Sequence, residues 1–528
     1  MFELQKMLFE RETTRTELLN YKSISTDEYV VSIYRNHSFE LVEHTISAYL
    51  DYAEIKAKFE YSDYDDSLSF LNIDLSADLI IVWLDLGRYQ IDNTDAFITE
   101  RLNYLRRIYK GRILYIPFRG GILPEVNDQI VQYDLMNILP NETEKYMDVR
   151  LEKYTGTFIN HKYCMKIAKE LGLKYLPALL KPLLKAIVVD LDNTLYKGVL
   201  GEEGENNVVI NDGYIELQKT LINYKNNGIF LCIASKNERE DVDSLFEKRE
   251  DFPLKSGDFT QICASWDEKA DSIEEIAQFL NIHPSSILFI DDNLGEIVKV
   301  KERFPEIHCI HANENSEVTN KILKSYPGLL KLNITAEDKI RQKDTIANKA
   351  REEMKKSMTV EDYLKSLGVH LTFSINVKTQ VPRIAELSNK TNQFIFNYKR
   401  YTASEVENIM DSANGAVVSV SLKDKLSDSG IIGTCVLKKN DNKAIVEECF
   451  VSCRALGRGL DEAIILGAIQ RGITFLNIDR IYVEFKKGDR NLPAEKFYKE
   501  YFEKQNMTET RFSYEIPRNY IEFETVIK

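Results

Sequence analysis

Lys185-Ala-Ile-Val-Val-Asp-Leu-Asp-Asn-Thr-Leu195 is the stretch on which the reading of this chain turns. Ile187, Val188 and Val189 form an apolar, β-branched run, the pattern of a central parallel strand. The run stops abruptly at Asp190-Leu-Asp192-Asn-Thr194, which sets two carboxylates and a hydroxyl at the carboxyl end of that strand. In open α/β sheets ligands bind at this edge. One carboxylate can attack phosphorus while the other, two residues on, serves as acid and then base, the division of labour of covalent catalysis. Taken alone, the same residues also fit a strand running into an Asx-rich turn.

Three further polar clusters follow in order. Phe230-Leu-Cys-Ile-Ala234 reads as a buried strand ending in Ser235-Lys-Asn237. Trp266-Asp-Glu-Lys269 precedes a helix over Asp271–Leu280, and Ile287-Leu-Phe-Ile290 is a strand ending in Asp291-Asp292-Asn293, with Glu296 beyond. Between them, Tyr196–Gly204 suits a short hairpin flap, and Asp212–Asn226 a helix that Gly228 is placed to end. Singly, a serine after a strand is a turn residue, a lysine is solvated and an Asp pair caps a helix. Together, with three of the four at strand ends, they resemble the four motifs of the haloacid dehalogenase (HAD) superfamily of phosphotransferases.

That resemblance implies roles. Asp190 would accept the phosphoryl group and Asp192 would act as acid and base. Ser235 and nearby N–H groups would hold the phosphoryl oxygens, and Lys269 would be the fixed positive charge beside them. Mg²⁺ would be held by acidic oxygens, with Asp190, Asp192, Asp291 and Asp292 as candidate ligands. Which of Asp291 and Asp292 is the inner-sphere ligand stays open. The segments between the motifs are consumed by a flap, helices and strands, so a large cap is not expected. An open site suits a macromolecular substrate or a handover to a partner.

Residues 1–180 read as an α/β domain with a parallel sheet covered on both faces. Strands are expected at Glu28–Tyr34, Lys56–Tyr61, Asp78–Leu84 and Arg112–Phe118, with helices over Phe39–Tyr52, Ala96–Tyr109, Asn127–Met136 and His161–Leu171. The pattern resembles an SGNH-hydrolase-like, flavodoxin-type domain. Ser38 lies where such a hydrolase keeps its nucleophile, but no Gly-Asp-Ser surrounds it and no Asp stands three residues before His161. A nucleophile needs an oriented base, so this domain is expected to dock or cover rather than catalyse.

After residue 325, Ile334–Lys356 reads as a charged helical connector that includes Asp338–Arg341, and Thr359 as an N-cap. Asn389-Lys-Thr-Asn-Gln-Phe394 is rich in side-chain amides without amphipathic logic; a solvated helix end is its plain reading. Thr434–Lys438 and Ala444–Val451 are strands, followed by Ser452-Cys453-Arg454-Ala-Leu-Gly457-Arg-Gly459 and a helix over Leu460–Ile473. Arg454-x-x-Gly457-x-Gly459 looks like the pyrophosphate loop of GCN5-related N-acetyltransferases (GNAT), whose glycines let backbone N–H groups approach phosphate. The resemblance implies binding of acyl-CoA, or of the phosphopantetheine of a carrier protein, at Arg454, Gly457 and Gly459. Tyr498, in the stretch Asn491–Phe502, matches the acid that protonates the leaving thiolate. Cys453 has no histidine nearby in sequence to activate it as a nucleophile.

The chain has 528 residues, long enough for three domains, with 44% hydrophobic and 29% charged residues. Its net charge of −14 argues against a nucleic-acid binder. Seven scattered cysteines suit a reducing cytosol, and neither a signal peptide nor a membrane span is read from the sequence. The expected architecture is an α/β multidomain chain: residues 1–180 flavodoxin/SGNH-like, 181–325 HAD Rossmann-like without a large cap, 326–358 connector, 359–528 a GNAT-like α+β domain. Motif order over 181–528 resembles the FkbH-like family, HAD subfamily IIIC. Its implied activity is release of phosphate from a phosphorylated, glyceryl-like acyl donor and loading of the acyl group onto an acyl carrier protein. The chain departs from that family's pattern at Ala186, where a Cys is expected ahead of the first motif, and at Lys425-Leu-Ser-Asp428. The alternative is a sugar-phosphate phosphatase joined to a CoA-dependent N-acyltransferase.

Overall fold

The computed structural model describes residues 2–332, 344, 347, 348, 351, 354, 358–488, 490–503 and 511–527. The expected connector, with Asp338–Arg341, lies outside the described residues except at those single positions. Two compact units are present, residues 1–276 with 283–334, and residues 335–528 with 277–282.

The first unit holds two parallel sheets. Strands β1 (Glu28–Arg35), β2 (Lys56–Tyr61), β3 (Leu79–Asp85), β4 (Arg112–Phe118) and β5 (Ile130–Gln132) pair in the order β2-β1-β3-β4-β5. This is the flavodoxin-like order. Every residue of β3 is buried, as its continuous Leu-Ile-Ile-Val-Trp-Leu run requires of a strand covered on both faces. The helix expected over Asn127–Met136 is not formed. Instead, the β-branched pair Ile130-Val131 adds an edge strand to β4, and a 3₁₀ turn at Leu135–Asn137 follows, where the Asp134 carboxylate accepts the Met136 N–H at 2.9 Å.

Strands β6 (Ala186–Val189), β7 (Phe230–Ser235), β8 (Gln261–Ala264), β9 (Ile287–Asp291) and β10 (His308–His311) pair as β10-β9-β6-β7-β8. Counted within this sheet the order is the doubly wound 3-2-1-4-5, and its topological switch point lies between β6 and β9. The helix Asp212–Asn226 ends as expected, with Gly228 at φ 83°, a left-handed position that glycine takes without a Cβ clash. No gap separates the two sheets near residue 180. They share one core, in which Tyr52 meets Tyr326 edge to face at 5.8 Å and Phe9 packs on Tyr52 at 5.4 Å.

The second unit is a mixed sheet of β11 (Val369–Ile375), β12 (Gly415–Lys423), β13 (Asp428–Asn440), β14 (Lys443–Val451), β15 (Ile481–Val483) and β16 (Ile521–Ile527), ordered β15-β14-β13-β12-β11-β16. β11 to β14 form an antiparallel meander, while β15 joins β14 and β16 joins β11 in parallel. The helix Asp461–Phe475 packs its apolar Ala-Ile-Ile-Leu-Gly-Ala-Ile face against the meander. Gly472 permits that approach, because a Cβ there would lie 2.6 Å from Leu437. Among the described residues, no helix is long and apolar enough to cross a membrane.

Candidate functional site

The β6/β9 switch point gathers the charged groups. Asp190 directly follows β6, and its N–H donates to the Ile290 carbonyl of the neighbouring strand at 2.9 Å. Asp291 ends β9. Lys269, the first residue of the helix Lys269–Leu280, reaches between them, with its Nζ 3.0 Å from an Asp190 oxygen and 2.6 Å from Asp291 Oδ2. Asp291 Oδ1 accepts the Asn293 N–H at 2.8 Å. Carboxylate oxygens of Asp190, Asp291 and Asp292 lie within 4.8 Å of one another, the only such group of three or more acidic, His or Cys ligands among the described residues. Asp190 is 4% exposed and Asp291 is fully buried.

Asp192 stands apart from this cluster. It was expected among the metal ligands, but its carboxylate is committed elsewhere. Oδ1 accepts the Tyr196 hydroxyl at 2.6 Å and the Leu200 N–H at 3.0 Å, and Oδ2 accepts Asn237 Nδ2 at 3.0 Å. Asn237 also donates to Ser235 Oγ at 3.0 Å, which ties the end of β7 to the second acid. The alternation behind this placement is simple. Asn193 adopts φ 52°, and its side chain accepts the Gly198 N–H, so the chain turns sharply and sends Asp190 and Asp192 to different partners. Among the described residues, the buried Thr194 hydroxyl has no hydrogen-bond partner.

Charge and burial set the protonation of the cluster. Burial pushes Asp190 up to about 7, with Lys269 opposing and the Asp291 charge adding to the rise. Asp291 is likewise raised by burial against the pull of Lys269, and Asp292 by burial and the Asp190 charge. One lysine paired with two of three clustered carboxylates leaves an excess of negative charge in a largely buried site. That donor set, hard oxygens converging on one point, fits Mg²⁺. Folded pKa values above the ordinary 3.8 mean that the stability present at low pH is lost as pH rises through the window from 3.8 to about 7. A cation that holds the ionised forms offsets this loss and releases protons on binding. The rise in Tm on adding Mg²⁺ should therefore grow with pH across that window and vanish below it. A Mg²⁺ effect independent of pH would contradict the assignment.

The Tyr196–Gly204 flap is real but partly helical, with an antiparallel bridge from Lys197 to Val209 around a single turn at Leu200–Glu203. It does not roof the site alone. A cavity of about 770 Å³ opens beside Asp292 and Asn193, lined also by Lys6, Lys197, Tyr214 and His311. Lys6 enters because the first ten residues dock here: Gln5 Nε2 donates to the His311 carbonyl at 2.9 Å and Lys321 Nζ to that of Phe9 at 3.2 Å. Lys6 and His311 were not legible as site residues, since the sequence brings no signal linking positions 6 and 311.

At the carboxyl edge of the other parallel sheet, Ser38 Oγ donates to the Glu40 carboxylate. Among the described residues, no histidine is hydrogen-bonded to Ser38. His37 beside it is fully buried, stacked on Trp83 at 4.7 Å with its Nδ1 on Thr157 Oγ1 at 3.0 Å. Asp85 at the end of β3 is held by Arg119 Nε and Nη2 at 2.6 Å and by Arg88 Nε at 3.2 Å. This edge is an interlocked structural network.

In the second unit, Gly457 (φ 78°) and Gly459 (φ 76°) shape the loop after β14 as expected, and a Cβ on Gly457 would meet nothing within 4 Å. Arg454 is buried, donating to Ser452 Oγ and the Ile431 carbonyl at 3.4 Å. Arg458 is consumed in a buried ion cluster with Asp344 (2.9 Å) and Asp424 (3.6 Å), where Arg351 also grips Asp424 at 2.8 and 3.0 Å. Tyr498 stacks on Phe485 at 4.7 Å and meets Phe396 edge to face at 6.3 Å. Cys453 is partly exposed.

No protein-family model matches the chain, and no curated protein matches it. Among solved structures, it is similar to the N-terminal part of a Bacteroides fragilis protein containing a phosphatase domain, complexed with Mg. That likeness is at 20% identity and TM-score 0.45, over 60% of this chain and 98% of the other. A candidate HAD family hydrolase from Streptomyces avermitilis is similar at 13% identity and TM-score 0.21, over 28% of this chain and 91% of its own. A ribosomal-protein-alanine N-acetyltransferase from Brucella melitensis biovar Abortus is similar at 11% identity and TM-score 0.20, over 28% and 99%. These are likenesses only. The chemistry rests on the side chains.

Proposed function

We propose that this chain is a Mg²⁺-dependent phosphotransferase that releases phosphate through an aspartyl-phosphate on Asp190. The observation that carries the reading is the cluster of Asp190, Asp291 and Asp292 at the switch point of a doubly wound sheet, with Lys269 paired to the first two. Asp190 attacks phosphorus, and the bond from phosphorus to the leaving oxygen breaks. Asp192 gives a proton to that oxygen, then takes one from the water that cleaves the acyl phosphate on Asp190. Lys269 offsets the charge of Asp190 and of the phosphoryl oxygens, in a site dry enough to make that attraction count. Ser235 ends β7 at the same edge, where its hydroxyl and nearby backbone N–H groups would donate to phosphoryl oxygens, while the Asn237 amide holds Ser235 and Asp192 in place. Asp190, Asp291 and Asp292 would hold Mg²⁺, which supplies a Lewis acid for those oxygens.

Asp192→Asn should slow phosphate release by roughly 10²–10⁴-fold, the usual contribution of a positioned acid and base. Both Asp192 oxygens accept hydrogen bonds, so an amide nitrogen must face a donor on one side. A Tm measurement alongside kcat separates lost acid–base help from a loosened fold. A folded variant with unchanged kcat would remove Asp192 from the mechanism.

The finer reading concerns donor and acceptor. The substrate is proposed to be a phosphorylated, glyceryl-like acyl donor, with the acyl group ending on the pantetheine thiol of an acyl carrier protein. Its support is the order of motifs in the sequence and a cavity of about 770 Å³ at the mouth of the site, within the usual range for a ligand pocket. Intact-mass measurement of carrier proteins incubated with the enzyme, Mg²⁺ and phosphorylated acyl donors tests it. An acyl adduct on the carrier with one phosphate released per adduct is expected. Phosphate release with unmodified carriers would leave a phosphatase and remove the carrier.

A further inference from the structure

The amide-rich segment Asn389–Phe394 leads into a densely hydrogen-bonded place in the second unit. β14 and β15 pair only from Ala444–Ile481 to Val446–Val483, and then the strands diverge. An extended, amide-bearing arm that ran from the loop after β14 into this opening would need the free edge of β14 to pair its amides. Here that edge is taken. The Val451 N–H donates to the Phe394 carbonyl at 3.0 Å, and the Phe396 N–H to the Cys449 carbonyl at 3.0 Å, around an antiparallel bridge between Ile395 and Phe450. From the other side, the Lys486 N–H donates to the Phe396 carbonyl at 2.8 Å.

Side chains lock the insertion from both walls. Asn397 Nδ2 donates to the carbonyls of Glu447 (2.8 Å) and Glu484 (2.9 Å), one on each diverging strand. Asn491 Nδ2 donates to the carbonyls of Ile395 and Lys486 at 2.9 and 3.0 Å. The Glu448 carboxylate, fully buried, accepts the N–H groups of Phe396, Asn397 and Lys399 at 2.8–3.1 Å. Phe394 and Phe396 are 2% and 0% exposed, and Phe396 packs against Phe485, Phe502 and Tyr498. The Tyr498 ring, expected beside a leaving thiolate, thus lies against Phe396.

We infer that residues Phe394–Lys399 are the resident occupant of the opening between β14 and β15, so that this unit binds no CoA thioester or pantetheine arm there. To admit one, the chain would have to break the backbone bonds at Cys449, Val451 and Lys486, strip the donors from a buried carboxylate and expose Phe396. The open loop at Gly457 and Gly459 does not alter this, because a phosphate held there would still have no strand edge along which to run its arm. The inference stands whether or not Asp190 performs phosphoryl transfer.

The test uses the full-length protein, with acetyl-CoA and 4′-phosphopantetheine as probes. Hydrogen exchange should show Phe396, Asn397, Lys399 and Val451 amides protected as strongly as the β13–β14 core, and unchanged by either probe up to millimolar concentration. Absence of saturable binding by calorimetry, or binding that leaves those amides protected, upholds the closed opening. Saturable binding with loss of protection at Phe396 and Val451 overturns it. So does loop-like exchange of these amides in the unliganded protein. Asn397→Ala, which removes both bridging bonds, should speed exchange over 394–399 at least several-fold and leave phosphate release unchanged; exchange at the wild-type rate would mean that the side chain does not secure the segment, against the inference.

Discussion

Asp190→Asn should abolish Mg²⁺-dependent phosphate release while leaving the protein at least as stable as before. Loss of the nucleophile in a covalent mechanism is expected to lower kcat by roughly 10⁴–10⁶-fold. The stability half of the expectation comes from the site itself. Asp190 is buried, raised by burial and by the Asp291 charge, and shares one lysine with a second carboxylate. An amide of the same shape removes a charge from an over-charged cluster and still offers an oxygen to Lys269. Without Mg²⁺ at neutral pH, the variant should therefore melt at or above the wild-type temperature, a functional site held at the expense of stability. With Mg²⁺ the order should reverse, because a ligand to the cation is gone. Turnover retained in a preparation free of wild-type enzyme would sink the nucleophile assignment, and a variant that melts earlier without Mg²⁺ would mean that the cluster is not over-charged.

Where burial dictates composition, the sequence was readable. β6, β7 and β9 are covered on both faces, so they must be apolar runs, and the polar residues that end them stand out at once. The helix expected over Asn127–Met136 failed for the complementary reason. β5 is a three-residue edge strand, too short to show a period, and only its pairing with β4 defines it. The Asp192 carboxylate lies outside the cluster of three acids, because its direction depends on the left-handed turn at Asn193 and on donors from Tyr196, Leu200 and Asn237. Spacing alone does not give those. The mouth of the site and the filled opening were illegible for one shared reason. Each joins residues hundreds or tens of positions apart, Gln5 with His311 and Phe396 with Glu448, through hydrogen bonds that leave no periodic trace.

Lys269→Met tests the electrostatic core of the site most directly, because it removes the cation and keeps most of the apolar stem. In the wild-type protein the ammonium lies 5% exposed between Asp190 and Asp291. Removing one partner from a buried ion pair leaves the other charge uncompensated and typically costs about 3–5 kcal/mol. The loss must depend on pH in a defined direction. With Lys269 gone, only backbone N–H groups at Leu191 and Asn293 oppose the burial that already raises both carboxyl groups, so they take up protons to higher pH. Their folded pKa values then exceed the unfolded values by more, and stability present at low pH falls further as pH rises. The difference in Tm between wild type and Lys269→Met should be small near pH 4 and large near pH 8, and Mg²⁺ should recover part of it by supplying the missing positive charge. Phosphate release should not recover with it, since a cation on the carboxylates does not replace the ammonium beside the phosphoryl oxygens. A destabilisation that stays constant across pH would mean that Lys269 acts through packing, and full activity in the folded variant would remove it from the site.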